Sequence, residues 1–471
     1  MKRVAIVGGG LSGVAAAWQL ARDGQCEFIL YEASPRLGGI VETARVETKD
    51  GTFVIECGPD AWVTEKPWAR ELAIELGLES EIISSNDRIR RTYLLHGKHL
   101  TPMPDGLRLM VPTRWAPIME SPLFSWQARL AYLREPRNAE ALKESALKDN
   151  EDESIASFVR RHFGDEVTRT IAGPLLAGIF GGDIEQLSAR AVMPAFLKME
   201  REHGSLITAL QKKQNPQAEA MPVFTTLRSG LQTLVDRMQD ALPTDAVRCQ
   251  HLVNAIARND GRWQVEAQGA KEDFDAIIVA TPAHVTRALL RPIHADFETL
   301  LEMEATSAIV IALAFSPEQS QRLRIPRGFG YLVPQPARAA DTDNTQLLAC
   351  TFVDQKYAHR APEGAVLLRA FFGGAAAEAL KNEDDAHLIT LAHRRLSAAL
   401  GPLPEPVISL VRRWPLSLPQ YAVGHAARMA KVASLAESFP GLQLIGNAYR
   451  GVGLPDMVHQ GREAARNLSR S

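Results

Sequence analysis

The sequence predicts an α/β protein interrupted by a helical segment, and three observations carry that prediction. A glycine-rich turn joins a strand, a helix and a second strand at the N-terminus; three- and four-residue apolar spacing runs from Ile155 to Ile179; short strands return beyond Arg248.

The first unit reads KRVAIVGGGLSGVAAAWQLARDGQCEFILYEA over residues 2–33. Val4-Ala5-Ile6-Val7 is the apolar run of a buried parallel strand, and Gly8, Gly10 and Gly13 form G-x-G-x-x-G directly after it. An alanine-rich amphipathic stretch, Val14 to Arg22, is closed by Gly24, and the apolar strand Phe28 to Tyr31 ends in Glu32. This is one βαβ unit. Its glycines let the backbone approach a pyrophosphate, its helix N-terminus offers free N–H groups, and a carboxylate about 20 residues on accepts ribose hydroxyls. Glu32 is that carboxylate, and its charge disfavours a ribose 2′-phosphate.

At 471 residues the chain exceeds one ordinary core and predicts two or three domains. An apolar share of 46% with 23% charged residues marks a globular protein, and a formal net charge of −2 offers no basic field for nucleic acid. Cys26, Cys57, Cys249 and Cys350 are scattered without C-x-x-C spacing, so neither a metal site nor a disulfide framework is expected and the compartment reads as reducing. The first strand begins at once, leaving no room for a signal peptide, and no uncharged apolar run reaches the roughly 18 residues of a bilayer span. Leu107 to Leu133 mixes Met110, Trp115, Leu123, Phe124 and Trp126 with Arg108, Arg114 and Arg129, a composition that fits either a membrane surface or internal packing.

Three stretches read as connections: Arg134 to Glu153, Lys212 to Ala220 and Pro334 to Gln346. Ile155, Phe158, Val159 and Phe163, then Val167, Ile171, Leu175 and Ile179, keep helical spacing, so residues 91–184 are expected to be a largely helical insertion. Val253 to Ile256, Arg262 to Ala267 and Ala276 to Ala280 read as strands, with a turn at Asn259-Asp260-Gly261.

Glycine spacing alone does not separate NAD from FAD. After Glu32 come Arg36 and the pair Gly38-Gly39, an arginine that can neutralise pyrophosphate and glycines that admit a larger cofactor. Near the other end, Leu442 to Ile445 runs into Gly446, followed by Gly451-Val452-Gly453-Leu454-Pro455 and a helix-like stretch. With Gly58-Pro59 after Glu56-Cys57, this combination resembles the FAD-dependent amine oxidase superfamily. Within it, PLLAGIFGGD (174–183), FTTLRSGLQTL (224–234), GFGYLVP (328–334), Arg413-Trp414 with Pro419-Gln420-Tyr421, and the C-terminal GNAYRGVGLPD are similar to the oxygen-dependent protoporphyrinogen and coproporphyrinogen oxidase family, in the family's order along the chain.

The resemblance implies a discontinuous Rossmann-like FAD-binding domain (1–72, 222–292 and 420–471), a mixed-sheet substrate-binding domain (73–90, 185–221 and 293–419) and the helical insertion (91–184), which could associate with a membrane. The adenine would lie by Val253, and the flavin by Trp414, Val452, Gly453 and Leu454. The implied reaction is oxidation of protoporphyrinogen IX, or alternatively coproporphyrinogen III, in heme biosynthesis: hydride passes to FAD in two-electron steps and oxygen is reduced to hydrogen peroxide. Aromatisation drives the chemistry, so the side chains mainly orient the macrocycle and no catalytic acid–base residue or metal is expected. Arg91 is the expected propionate partner, with Arg88 and Arg90 nearby as alternatives, and Phe329, Gly330, Leu332, Leu348 and Phe371 are the expected apolar walls. A homodimer and a cytoplasmic location, peripheral on the inner membrane's cytoplasmic face, follow from the same resemblance. An amine oxidase would use a lysine-held water that is not identifiable here; a carotenoid desaturase would show a more apolar tunnel.

Overall fold

The structure is a computed structural model describing residues 1–97, 99–213, 221–334 and 345–470. Most of two expected connections, residues 214–220 and 335–344, lie outside the described residues.

A five-stranded parallel sheet has the spatial order Val247–Arg248, Cys26–Tyr31, Lys2–Val7, Ala276–Val279, Leu442–Leu444, so segments from both ends and the middle of the chain share one sheet. Val4 to Ile6 and Ile277 to Val279 are buried on both faces, as parallel strands must be, which is why they read as unbroken apolar runs. One face is covered by the helix Leu11–Asp23 and the C-terminal helix Leu454–Arg470. The two helices approach so closely that a β-carbon on Gly461 would lie 2.3 Å from the carbonyl oxygen of Ser12. A β-meander, Val253–Asn259, Arg262–Ala267 and Ala270–Phe274, covers the other face. Asp260 and Gly261, both at positive φ, make the expected two-residue turn. The third strand was not expected: Lys271-Glu272-Asp273 has low strand propensity, and pairing with Arg262–Ala267 overrides it.

The second sheet has seven strands in the order Ile408–Pro419, Ala305–Phe315, Val366–Gly373, Ala349–Phe352, Gly330–Leu332, Thr92–His96, His99–Pro102, antiparallel except between Gly330–Leu332 and Thr92–His96. Residues 92–96 and 99–102, expected in the helical insertion, are therefore strands of this sheet. Their alternation serves two cores: Tyr93 packs beneath the sheet with Tyr331 and Phe372, and Leu94 joins the helical layer.

That layer runs from Ala116 to Lys213 and also differs from the expected boundary, because Phe196, Leu197, Ile207 and Leu210 share its core with Phe158, Phe163 and Ile171. Serine caps start its helices: Ser125 accepts from the Ala128 N–H, Ser154 from Ser157 and Ser188 from Ala191. Met110, Leu123 and Phe124 are buried here, so the amphipathic composition of 107–133 mostly reflects internal packing; Trp126 is 65% exposed. Among the described residues no helix is long and apolar enough to cross a membrane.

Candidate active site

A cavity of about 440 Å³ opens at the carboxyl ends of the parallel strands, where open α/β sheets bind their ligands. Gly8, Gly10, Glu32, Gly38, Gly39, Val253, Trp414 and Gly446, all expected at the cofactor, line it. The three motif glycines do different work. Gly8, at φ +106, donates to Tyr31 O at 2.8 Å, and a β-carbon there would lie 2.8 Å from Ala280 O. A β-carbon on Gly13 would lie 1.9 Å from Gly8 O, so Gly13 sets the packing of helix on turn and does not itself line the cavity. Gly10 has φ −67, and a β-carbon on it would meet no protein atom within 4 Å. Neither conformation nor packing requires glycine at that position, and a side chain there would extend into the cavity.

The helix beginning at Leu11 has no side-chain cap and no acidic residue in its first turn, leaving its N–H groups and positive dipole end directed at that space. Glu32 stands where the strand Cys26–Tyr31 ends; its two carboxylate oxygens accept from the Gly9 and Ser34 N–H groups, both at 2.7 Å. This fixes the carboxylate at the cavity wall with lone pairs to spare for hydroxyl donors. The cleft suits a dinucleotide without a ribose phosphate.

Other expected cofactor residues lie outside the lining. Arg36 is committed to its own loop: Nη1 donates to Leu37 O and Val41 O, and Nη2 to Gly39 O and the Glu42 carboxylate. It shapes the turn that carries Gly38 and Gly39. Gly58, followed by Pro59, presses on the chain at Ile40, where a β-carbon would lie 1.9 Å from the carbonyl oxygen. Trp414 Nε1 donates to Cys57 O at 2.7 Å, tying the second sheet to that turn beside the cavity. Val452 packs on the helical layer, and Gly453 and Leu454 lead into the C-terminal helix. Tyr421, whose ring stacks on His425 at 3.9 Å, accepts from the Gly451 N–H at 3.0 Å and donates to Asn447 O at 2.5 Å, bracing this loop from behind. Sequence reasoning missed His251, Leu252 and the turn Ala280 to Ala283, all in the lining. The signal for the turn was present, since Ala276–Val279 ends in Thr281-Pro282.

The expected substrate residues gather on the second sheet. Register aligns Leu332 with Ala349 and Ala349 with Phe371, and Leu348 donates its N–H to Phe371 O at 2.8 Å while packing over Gly373. This face looks toward the helical layer, where Leu332 lies close to Gly178. Gly330 is glycine for backbone reasons: at φ +143 its β-carbon would lie 2.0 Å from Cys350 O. Arg91 is exposed, and its carbonyl accepts from the Phe329 N–H at 2.8 Å, so the two residues are neighbours through their backbones. Arg90 lies 3.7 Å from Asp87, which makes it a poorer free cation.

Sequence reasoning also missed a buried charge cluster beside Phe329 and Phe371. Lys356 Nζ donates to Asp60 Oδ2 at 2.9 Å, Arg369 Nη1 lies 3.5 Å from the same oxygen and Nη2 donates to Gly58 O, and Arg360 pairs with Glu56 at 3.1 Å. Burial opposes ionisation of Asp60, but Lys356 and Arg369 hold its carboxyl below the usual carboxylate range; burial raises Glu56 in spite of Arg360.

Residues 11–469 match the sequence profile of flavin containing amine oxidoreductases. The coproporphyrinogen III oxidase of Bacillus subtilis (strain 168) is 34% identical over 477 residues, covering 98% of this chain and 97% of that one. That of Propionibacterium freudenreichii is 31% identical, covering 98% and 89%. The protoporphyrinogen oxidase of Bos taurus is 29% identical, covering 98% of each. A crystal structure from Exiguobacterium sp. 255-15, provisionally named a protoporphyrinogen oxidase, superimposes with a TM-score of 0.85 at 29% identity over 100% of this chain and 99% of that one. Cyclohexylamine oxidase from Brevibacterium oxydans IH-35A shares the fold, with a TM-score of 0.72 at 15% identity over 100% and 99%. The chain belongs to the FAD-dependent flavin containing amine oxidoreductase family, in its porphyrinogen oxidase branch.

Proposed function

We propose that this protein oxidises coproporphyrinogen III to coproporphyrin III in heme biosynthesis, with oxygen as the final acceptor. The observation that carries the reading is end-to-end similarity, at 34% identity over 98% of the chain, to a coproporphyrinogen III oxidase. Sequence reasoning placed protoporphyrinogen IX first; the relatives at 34% and 31% identity favour the tetra-acid instead.

Bound FAD supplies the two-electron acceptor for each oxidation step. The chain's own residues hold and orient. Glu32 accepts the ribose hydroxyls, Gly10 and the helix behind it receive the pyrophosphate, and Val253 flanks the adenine. Trp414 and the Gly446 to Leu454 loop hold the flavin end, with Arg36, Gly38, Gly39, Gly58 and Pro59 shaping the opposite turn. Leu332, Leu348 and Phe371 supply apolar walls for the macrocycle, while Arg91 beside Phe329 receives a propionate. Their work is positioning, because ring aromatisation provides the driving force. The test is incubation of FAD-loaded protein with each porphyrinogen in air, following porphyrin fluorescence and peroxide together. Porphyrin formation above the autoxidation blank, faster with the tetra-acid, is expected; a faster rate with protoporphyrinogen IX would return the assignment to the di-acid.

A further inference from the structure

Beside Phe329 and Phe371, three buried cations share two ion-pairing carboxylates. Among the described residues the cluster joins three cations, Lys356, Arg360 and Arg369, to two carboxylates, Glu56 and Asp60, and Asp60 is shared between Lys356 and Arg369. All three cations are at most 9% exposed. Nε of Arg369, and Nε and Nη1 of Arg360, have no hydrogen-bond partner among the described residues. A buried charge without a counter-charge is costly, so a surplus cation in a packed interior signals an anion that completes it. The dinucleotide phosphates are not that anion, since none of the three cations lines the dinucleotide cavity. The cluster instead abuts the walls assigned to the substrate: Lys356 Nζ is 6.0 Å from the Phe329 ring centroid and Arg369 is 5.0 Å from that of Phe371.

We propose that this cluster, through Lys356, is the specificity-determining element that receives a substrate carboxylate and favours a tetra-acid macrocycle over a di-acid one. The inference rests on the porphyrinogen reading above and adds to Arg91 a second cation, 6.0 Å from the Phe329 ring centroid. Lys356 is the member best placed to meet that carboxylate, because its ammonium sits among the Phe224, Phe329 and Tyr357 rings and its one hydrogen-bonding carboxylate, Asp60, is already shared. Both arginines are more deeply buried. Asp60 tempers the surplus, so removing its charge should strengthen carboxylate binding and removing the Lys356 charge should weaken it.

The test measures equilibrium binding of coproporphyrin III and of its uncharged tetramethyl ester to FAD-loaded protein by fluorescence quenching, with flavin content and thermal midpoint recorded for each variant. The wild type is expected to prefer the acid. Lys356→Met should narrow the acid-to-ester ratio roughly tenfold, as loss of one charge-assisted contact implies; Lys356→Arg should restore it and Asp60→Asn should widen it. In turnover, Lys356→Met should raise KM for coproporphyrinogen III more than for protoporphyrinogen IX. An unchanged ratio in folded, flavin-loaded Lys356→Met overturns the proposal. If that variant does not fold, Asp60→Asn decides: a ratio that stays constant or narrows overturns it. A wild type that oxidises neither porphyrinogen would remove the functional reading, whereas normal turnover with an insensitive ratio would remove only the role of Lys356.

Discussion

The parallel sheet and the seven-stranded sheet offer different materials to a ligand. At the parallel sheet the cofactor cleft is mostly backbone: glycine turns, uncapped helix N–H groups and one carboxylate fixed by two N–H donors. At the mixed sheet the expected substrate face consists of side chains from strands near residues 92, 330, 349 and 369, backed by charges from residues 56, 60, 356 and 360. A backbone site needs particular residue types at fixed spacing, whereas a side-chain site needs only that distant segments meet. The first should therefore fail through local geometry and the second through lost charge or shape.

The largest effect expected is at Gly13. Gly13→Ala places a carbon against Gly8 O and should cost roughly 3 kcal/mol or more in stability along with the flavin. Gly10→Ala sharpens the contrast: it meets no protein atom, so the apoprotein's thermal midpoint should stay within about 1 °C while FAD affinity falls at least about tenfold. Equal destabilisation of both would break the distinction between a packing glycine and a ligand glycine. Next is Glu32→Ala, which leaves the Gly9 and Ser34 N–H groups without their acceptor, at roughly 1–3 kcal/mol for a buried unpaired group, and should lower FAD retention on gel filtration. Full retention of FAD would remove the ribose contact.

On the substrate side Arg91→Ala should raise KM for the porphyrinogen roughly tenfold, near 1.4 kcal/mol, with flavin content unchanged. An unmoved KM would return Arg91 to the solvated surface. The smallest effect concerns the helical layer that faces the substrate sheet. Burial alone would lower the pKa of His162, but hydrogen bonds with Glu135 and Glu200 at 3.0 and 3.1 Å raise it. A raised folded value means the stabilisation is complete below the unfolded value of about 6.5 and is lost as pH rises through the folded one. The thermal midpoint should thus fall as pH rises above about 6.5, and His162→Gln should flatten that slope; a parallel slope in the variant would exclude His162 as its source.

The same contrast explains what was legible in the sequence. Gly8, Gly10, Gly13 and Glu32 could be placed from spacing alone because a phosphate cradle demands those residues in that order. Arg36 carried the right charge for pyrophosphate yet bonds its own loop, since carbonyls that a turn brings within reach leave no sequence mark. Gly330 was expected among the substrate walls, and the close approach of Cys350 that requires a glycine there left no mark in the sequence. Lys356, Arg360 and Arg369 were invisible as a group because their carboxylates lie about 300 residues away in the chain.

The central claim is best tested by giving purified, FAD-loaded protein coproporphyrinogen III and protoporphyrinogen IX separately in air and recording porphyrin fluorescence with peroxide. The account predicts porphyrin from the tetra-acid at the higher rate, with about three peroxides per macrocycle, because three two-electron steps complete the aromatic ring. A yellow, folded protein that forms no porphyrin from either substrate above the blank would contradict it.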